Sequence, residues 1–212
     1  MIPVIKICGV TSVQDALLAV SAGASLVGLV FAERSPRRLE PEAAREIADA
    51  VKGKATIVGV FQNNRAGFVL KTFDRANLDV VQYHGNESPE ILRELGLPAI
   101  KAIEITGDFE WDLARRYQGV AGQVLLDKPK GLADPDWLPQ AIKIASRAPA
   151  DMLPIFFAGG LSPANVGEVV RTVKPYGVDV ASGVERKPGI KNPAEVERFC
   201  QSVREAASLC EP

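Results

Sequence analysis

The sequence predicts an α/β fold, a single-domain (βα)8 TIM barrel spanning residues 1–212. Three observations carry that prediction. Eight apolar runs, starting near Val4, Val27, Ile57, Asp79, Ile100, Val124, Ile155 and Val178, recur at intervals of roughly 20 to 30 residues with a helical pattern between them, the length of a βα unit. The seventh and eighth runs each lead into a small-residue turn, Gly159-Gly160 and Ser182-Gly183, where such a barrel places a phosphate cradle. The first run ends in C-G-V-T rather than the G-x-G-x-x-G of an open dinucleotide-binding sheet.

The elements follow in order. Residues 3–7 read as a strand, then Thr11 and Gln14 form a capping box for a helix with Val13, Ala16, Leu17 and Val20 on its buried stripe. Gly23 stops that helix. Strand 26–31 precedes the polar turn E-R-S-P-R-R, and Pro41 opens a helix with Ala44, Ile47, Ala48 and Val51 inward. Strands 56–61, 78–83, 99–103 and 123–126 alternate with helical patterns at 68–73, 89–95 and 111–117. A loop rich in Pro, Gly and Lys follows Asp127, then a helix near 139–146. Residues 155–157 are apolar throughout, as expected of a strand buried on both faces. Ser162 reads as an N-cap and Pro163 as the first residue of a helix with Val166, Val169, Val170 and Val173 inward. Strand 178–181 and a last helix carrying Val196, Phe199, Cys200 and Val203 complete the pattern.

Composition narrows the function. A chain of 212 residues, 47% hydrophobic and 24% charged, supports one sizeable core. A net charge of −1 disfavours nucleic acid as a partner. The sequence has neither an apolar run of membrane-spanning length nor a signal-peptide pattern, so no membrane and a cytoplasmic setting are expected. Cys8, Cys200 and Cys210 are odd in number and widely spaced, which favours free thiols. One histidine and no Cys/His cluster argue against a metal.

In a barrel, chemistry sits at the C-terminal ends of the strands. Cys8 stands there as a base or nucleophile if cations and a phosphate site lower its pKa, or as a small buried hydrophobe. Asp127 suits a general acid, and equally a helix cap or an ion-pair partner. Arg37 can hold a carboxylate through two parallel bonds, although residues 34–38 alone read more simply as a solvated charge cluster. His84 reads as a structural histidine, and Asp179 faces either the barrel interior or the site. The residues together describe a barrel for a phosphorylated small molecule, with a base, an acid and an anion clamp suited to proton transfer on a sugar phosphate.

Several motifs sharpen this. K-I-C-G-V-T at 6–11, S-P-R-R-L at 35–39, Q-Y-H-G at 82–85, L-L-D at 125–127, A-G-G-L-S-P-x-N-V at 158–166 and V-D-V-A-S-G-V-E-x-x-P-G-I-K at 178–191 resemble the phosphoribosylanthranilate isomerase family. The resemblance implies an Amadori rearrangement without cofactor or metal, in a monomer or homodimer. It implies Cys8 as general base, Asp127 as general acid, Arg37 on the anthranilate carboxylate, and Gly159, Gly160, Ser182 and Gly183 on phosphate, with Asp179 among the substrate-binding positions. One departure lies after Asp127, where the family's G-G-T-G stretch is replaced by K-P-K-G-L-A-D-P-D-W. The tyrosine of Q-Y-H-G, where leucine is commoner in the family, is a smaller one. Two other readings stay open: another phosphosugar-barrel isomerase or epimerase, and a barrel that binds its ligand without turnover.

Overall fold

The computed structural model describes residues 2–209, and Cys210 lies outside them. Eight parallel strands close on themselves in chain order. They are β1 (Val4–Cys8), β2 (Leu26–Val30), β3 (Thr56–Phe61), β4 (Val80–Tyr83), β5 (Ala99–Glu104), β6 (Gln123–Asp127), β7 (Ile155–Phe157) and β8 (Gly177–Val180). Each of the first seven is followed by a helix, and the long α8 (Pro193–Ser208) packs after β8.

Side-chain alternation along each strand decides what enters the barrel. Outward residues such as Ile5, Ile7, Tyr83, Leu126 and Val180 pack with the helices in one large core. Inward residues Val58, Ile100, Ala102, Leu125, Phe156 and Ala158 fill the barrel as a separate cluster. Cys8, Val30, Ala32 and Val60 form a third, upper layer. Gly28 is required beside them, because a Cβ there would stand 2.7 Å from Cys8 Sγ.

The interior also holds charge. Lys6, opposite Asp179 in the β1–β8 register, is fully buried and donates to Asp179 Oδ1 at 3.0 Å. Asp179 therefore faces the barrel interior. Lys101, on β5, is likewise buried and donates to Glu87 at 3.0 Å and to the Tyr83 carbonyl at 3.2 Å.

Several local expectations are corrected. Ser12, not Thr11, caps α1 (Val13–Ala22), accepting from the Asp15 amide, while the Thr11 hydroxyl donates to the Gly189 carbonyl oxygen. Leu17 is 40% exposed, because Ala16, Ala19 and Ala22 form the buried face instead. Helix α7 (Val166–Val173) begins after Asn165 rather than at Pro163. Asn165 Oδ1 accepts from the Ser162 amide, folding 162–165 into a turn before the helix. Ser182-Gly183 is part of a 3-10 turn, Ser182–Val184, rather than a simple strand end. That turn leads into a hairpin, β9 (Glu185–Lys187) with β10 (Ile190–Lys191), which the sequence pattern did not announce.

The buried pair gives a stability test. Lys6→Met strands the Asp179 carboxylate and should cost about 3–5 kcal/mol in denaturant unfolding. The double variant Lys6→Met/Asp179→Leu should recover most of that loss, and a double variant no better than Lys6→Met would show that the pair's charge is not what matters.

Candidate active site

Inward alternation brings Cys8, His84, Asp127 and Ala181 to one end of the barrel, around a cavity of about 450 Å³ that Arg37, Gln62, Glu104, Lys128 and Ser182 also line. A larger cleft of about 790 Å³ opens beside it, sharing Arg34, Gln62 and Lys130 and adding Arg38 and Arg65. Both openings are rich in cations, as an anionic small molecule requires.

Cys8 is 8% exposed. Burial pushes its thiol above the ordinary value, and Asp179 pushes the same way, while Lys6 and Lys191 oppose them without prevailing. The expected lowering is therefore corrected: desolvation outweighs the cations, and the resting group is the protonated thiol. Lys6 remains the stabiliser of any thiolate that forms. Burial disfavours its charge, but Asp179 and Cys8 more than compensate and raise it above the usual lysine value. Cys200 is a core residue, with burial raising its thiol to about 11.

Asp127 ends β6 and is anchored at both oxygens. Its Oδ1 accepts from the Lys128 amide at 2.7 Å, and Oδ2 lies 3.0 Å from His84 Nε2. His84, expected to be structural, thus sits on the candidate acid. Its strand-end position next to the cavity was the available signal.

Arg37 lines the cavity, but its Nε and Nη2 already donate to Glu185 at 2.9 and 2.6 Å. A guanidinium has five N–H donors, so Nη1 and the second Nη2 hydrogen remain as the edge for another anion. Glu185 was missed by sequence reasoning, since nothing in E-R-K-P-G marks it. It also accepts from Lys191 Nζ at 2.8 Å, and Lys191 in turn donates to the carbonyls of Cys8 at 2.6 Å and Ala181 at 3.2 Å. Burial alone would raise Glu185, but hydrogen bonds from Arg37 and Lys191 outweigh it and hold the carboxylate below its usual range.

The two glycine turns meet. A Cβ on Gly183 would run into the Leu161 carbonyl oxygen, so the turns after β7 and β8 touch. Gly159 and Gly160 hold φ of 91° and 68°, a region glycine enters at low cost. Among the described residues, their amides and those of Ser182 and Gly183 have no protein acceptor. Ser182 lines this cavity, Gly183 lines a neighbouring pocket with Ser162 and Pro163, and Gly159 and Gly160 line neither. The loop after Asp127 keeps Lys128 Nζ 5.8 Å from the Trp137 ring centre, and Trp137 donates to the Ile105 carbonyl at 3.0 Å.

Among the described residues, no group of three or more His, Cys, Asp or Glu is placed to hold a metal, and no helix is long and apolar enough to cross a membrane. The model of the N-(5'phosphoribosyl)anthranilate (PRA) isomerase family matches residues 5–202. A relative from Geotalea uraniireducens, named N-(5'-phosphoribosyl)anthranilate isomerase, is 41% identical over 206 residues, covering 94% of this chain and 98% of its own length. The crystal structure of phosphoribosyl anthranilate isomerase from Thermus thermophilus superposes with a TM-score of 0.82 at 34% identity, covering 95% of this chain and 98% of that one. A phosphoribosyl anthranilate isomerase in complex with reduced 1-(o-carboxyphenylamino)-1-deoxyribulose 5-phosphate gives 0.83 at 31% identity, covering 96% and 99% of the two chains.

The raised thiol fixes a reactivity pattern. Alkylation of Cys8 should be slow at neutral pH and climb about tenfold per pH unit until the thiolate predominates, above the ordinary thiol range. Peptide mapping after a timed iodoacetamide pulse should find Cys8 modified ahead of Cys200. A Cys8 rate already at its plateau at pH 7 would contradict the raised thiol.

Proposed function

This chain belongs to the N-(5'-phosphoribosyl)anthranilate isomerase family, its reaction is the family's isomerisation to 1-(2-carboxyphenylamino)-1-deoxyribulose 5-phosphate in tryptophan biosynthesis, and we propose that Cys8 and Asp127 carry the proton transfers. The single observation behind that assignment is the shared cavity, with a thiol on one wall and an anchored carboxyl on another.

Asp127, protonated, gives its proton to the ribose ring oxygen. The C1–O bond breaks toward that oxygen, and the anilino nitrogen's lone pair forms the C1=N double bond of an iminium. Cys8 first loses its thiol proton to bulk water, Lys6 steadying the thiolate; it then removes the C2 proton, and those electrons form C1=C2 while the C=N pair returns to nitrogen. The resulting enol returns a proton to C1 and becomes the ketone. Each transfer is worth roughly 10²–10⁴-fold.

Substrate ends are assigned by charge. The free edge of Arg37 takes the anthranilate carboxylate. The unpaired amides of Gly159, Gly160, Ser182 and Gly183 take the phosphate, as oriented N–H groups do. Asp179, paired with Lys6 beneath Cys8, is the remaining substrate-binding position of this reading. The ligand is a small phosphorylated molecule, and a cytoplasmic, metal-free enzyme of one or two subunits fits this reading.

Three measurements test it. Freshly made phosphoribosylanthranilate should lose its fluorescence on adding the protein, and correctly folded protein at background rate would refute the isomerase assignment. Cys8→Ser should cut turnover by about 10² or more with little change in stability, and a fully active Cys8→Ser would end the base assignment. Arg37→Ala should weaken a carboxyphenylamino product analogue by about 1.5–3 kcal/mol and ribulose 5-phosphate hardly at all. Equal weakening of both would move Arg37 to phosphate or to structure.

A further inference from the structure

The general-acid assignment leaves one buried group unexplained. Gln82 is fully buried on the inward face of β4, and its Oε1 has no hydrogen-bond partner. Its Nε2 points at two acceptors, His84 Nδ1 at 2.9 Å and the His84 carbonyl oxygen at 3.3 Å. A carbonyl oxygen can only accept, so the group facing it is the amide NH₂. A flipped amide would oppose two carbonyl oxygens, which is why Oε1 stays the orphan. A buried orphan costs on the order of 1–3 kcal/mol, so an arrangement that keeps one calls for a reason.

The consequence passes to the ring. An NH₂ donating into Nδ1 requires Nδ1 to be bare, so the ring proton sits on Nε2. That atom lies 3.0 Å from Asp127 Oδ2. We propose that Gln82 holds His84 as the neutral Nε2–H tautomer, and that His84 in this form is the positioning residue for Asp127. Imidazolium would need a proton on Nδ1, where Gln82 presents only hydrogens. The arrangement therefore disfavours an imidazolium–carboxylate pair, which would keep Asp127 deprotonated and unable to act as an acid. The neutral Nε2–H still donates to Oδ2. With the Lys128 amide on Oδ1, it fixes the carboxyl plane and steadies the carboxylate left after Asp127 gives up its proton.

The tautomer part stands on geometry alone, while the role for Asp127 rests on the proposed acid. His84 is the chain's single histidine, so histidine-selective ¹⁵N labelling reports it alone and needs no substrate. The free protein near neutral pH should show a bare Nδ1 and a protonated Nε2. A protonated Nδ1, alone or with Nε2, would overturn the tautomer. An inactive wild type with the expected spectrum would sink the isomerase reading and leave the tautomer standing.

Gln82→Glu replaces the donor at Nδ1 with an acceptor. Both ring nitrogens should then be protonated, and kcat should fall at least about tenfold with KM within about twofold. Double protonation with unchanged kcat would overturn the positioning role. His84→Gln restores an N–H toward Asp127 and should retain more kcat than His84→Leu, whereas equal loss in both would also overturn it. These His84 variants keep the role testable if Gln82→Glu fails to fold.

Discussion

Closure of the barrel at the β1–β8 seam is the constraint on which the rest depends. Until residue 6 lies opposite residue 179, Lys6 and Asp179 are two charges with nowhere dry to go. Once paired, they place an ammonium directly beneath Cys8, since residues two apart on a strand share a face. The seam thus joins the oldest problem of a buried ion pair, its desolvation, to the chemistry above it. The Cys8 thiol is raised because burial dominates, yet the cation that would steady a thiolate is already fixed in place.

A second knot ties the upper rim. Glu185 holds Arg37 on one side and Lys191 on the other, and Lys191 reaches the carbonyls at the ends of β1 and β8. One carboxylate therefore sets the direction of the anion clamp and the spacing of the two strand ends that flank it. Its own charge is secured by the two cations, which hold the carboxylate below its usual range against the effect of burial. Arg37 gives one edge to Glu185 and lines the cavity with the rest of its guanidinium, a geometry suited to a second, oriented carboxylate.

Much of this was legible in the residues. Apolar runs at βα spacing specify eight strands because a parallel strand buried on both faces must be apolar along its length. The placement of Cys8, Asp127 and the glycine turns at strand ends follows from the same pattern. Two of the local errors were at helix starts: Thr11 against Ser12, and Pro163 against Asn165. Several side chains near each start could cap, and tertiary contacts choose among them.

The sequence by itself determined the barrel, the strand ends where chemistry gathers and the residue types available there, because periodicity and turn chemistry are local properties. Only the tertiary structure decided that Asp179 faces Lys6, that Arg37 shares its guanidinium with Glu185, that the Cys8 thiol is raised rather than lowered, and that His84 meets Asp127. Those outcomes turn on distance and burial between residues far apart in the chain, and electrostatic energies depend on both so steeply that no spacing in the sequence encodes them.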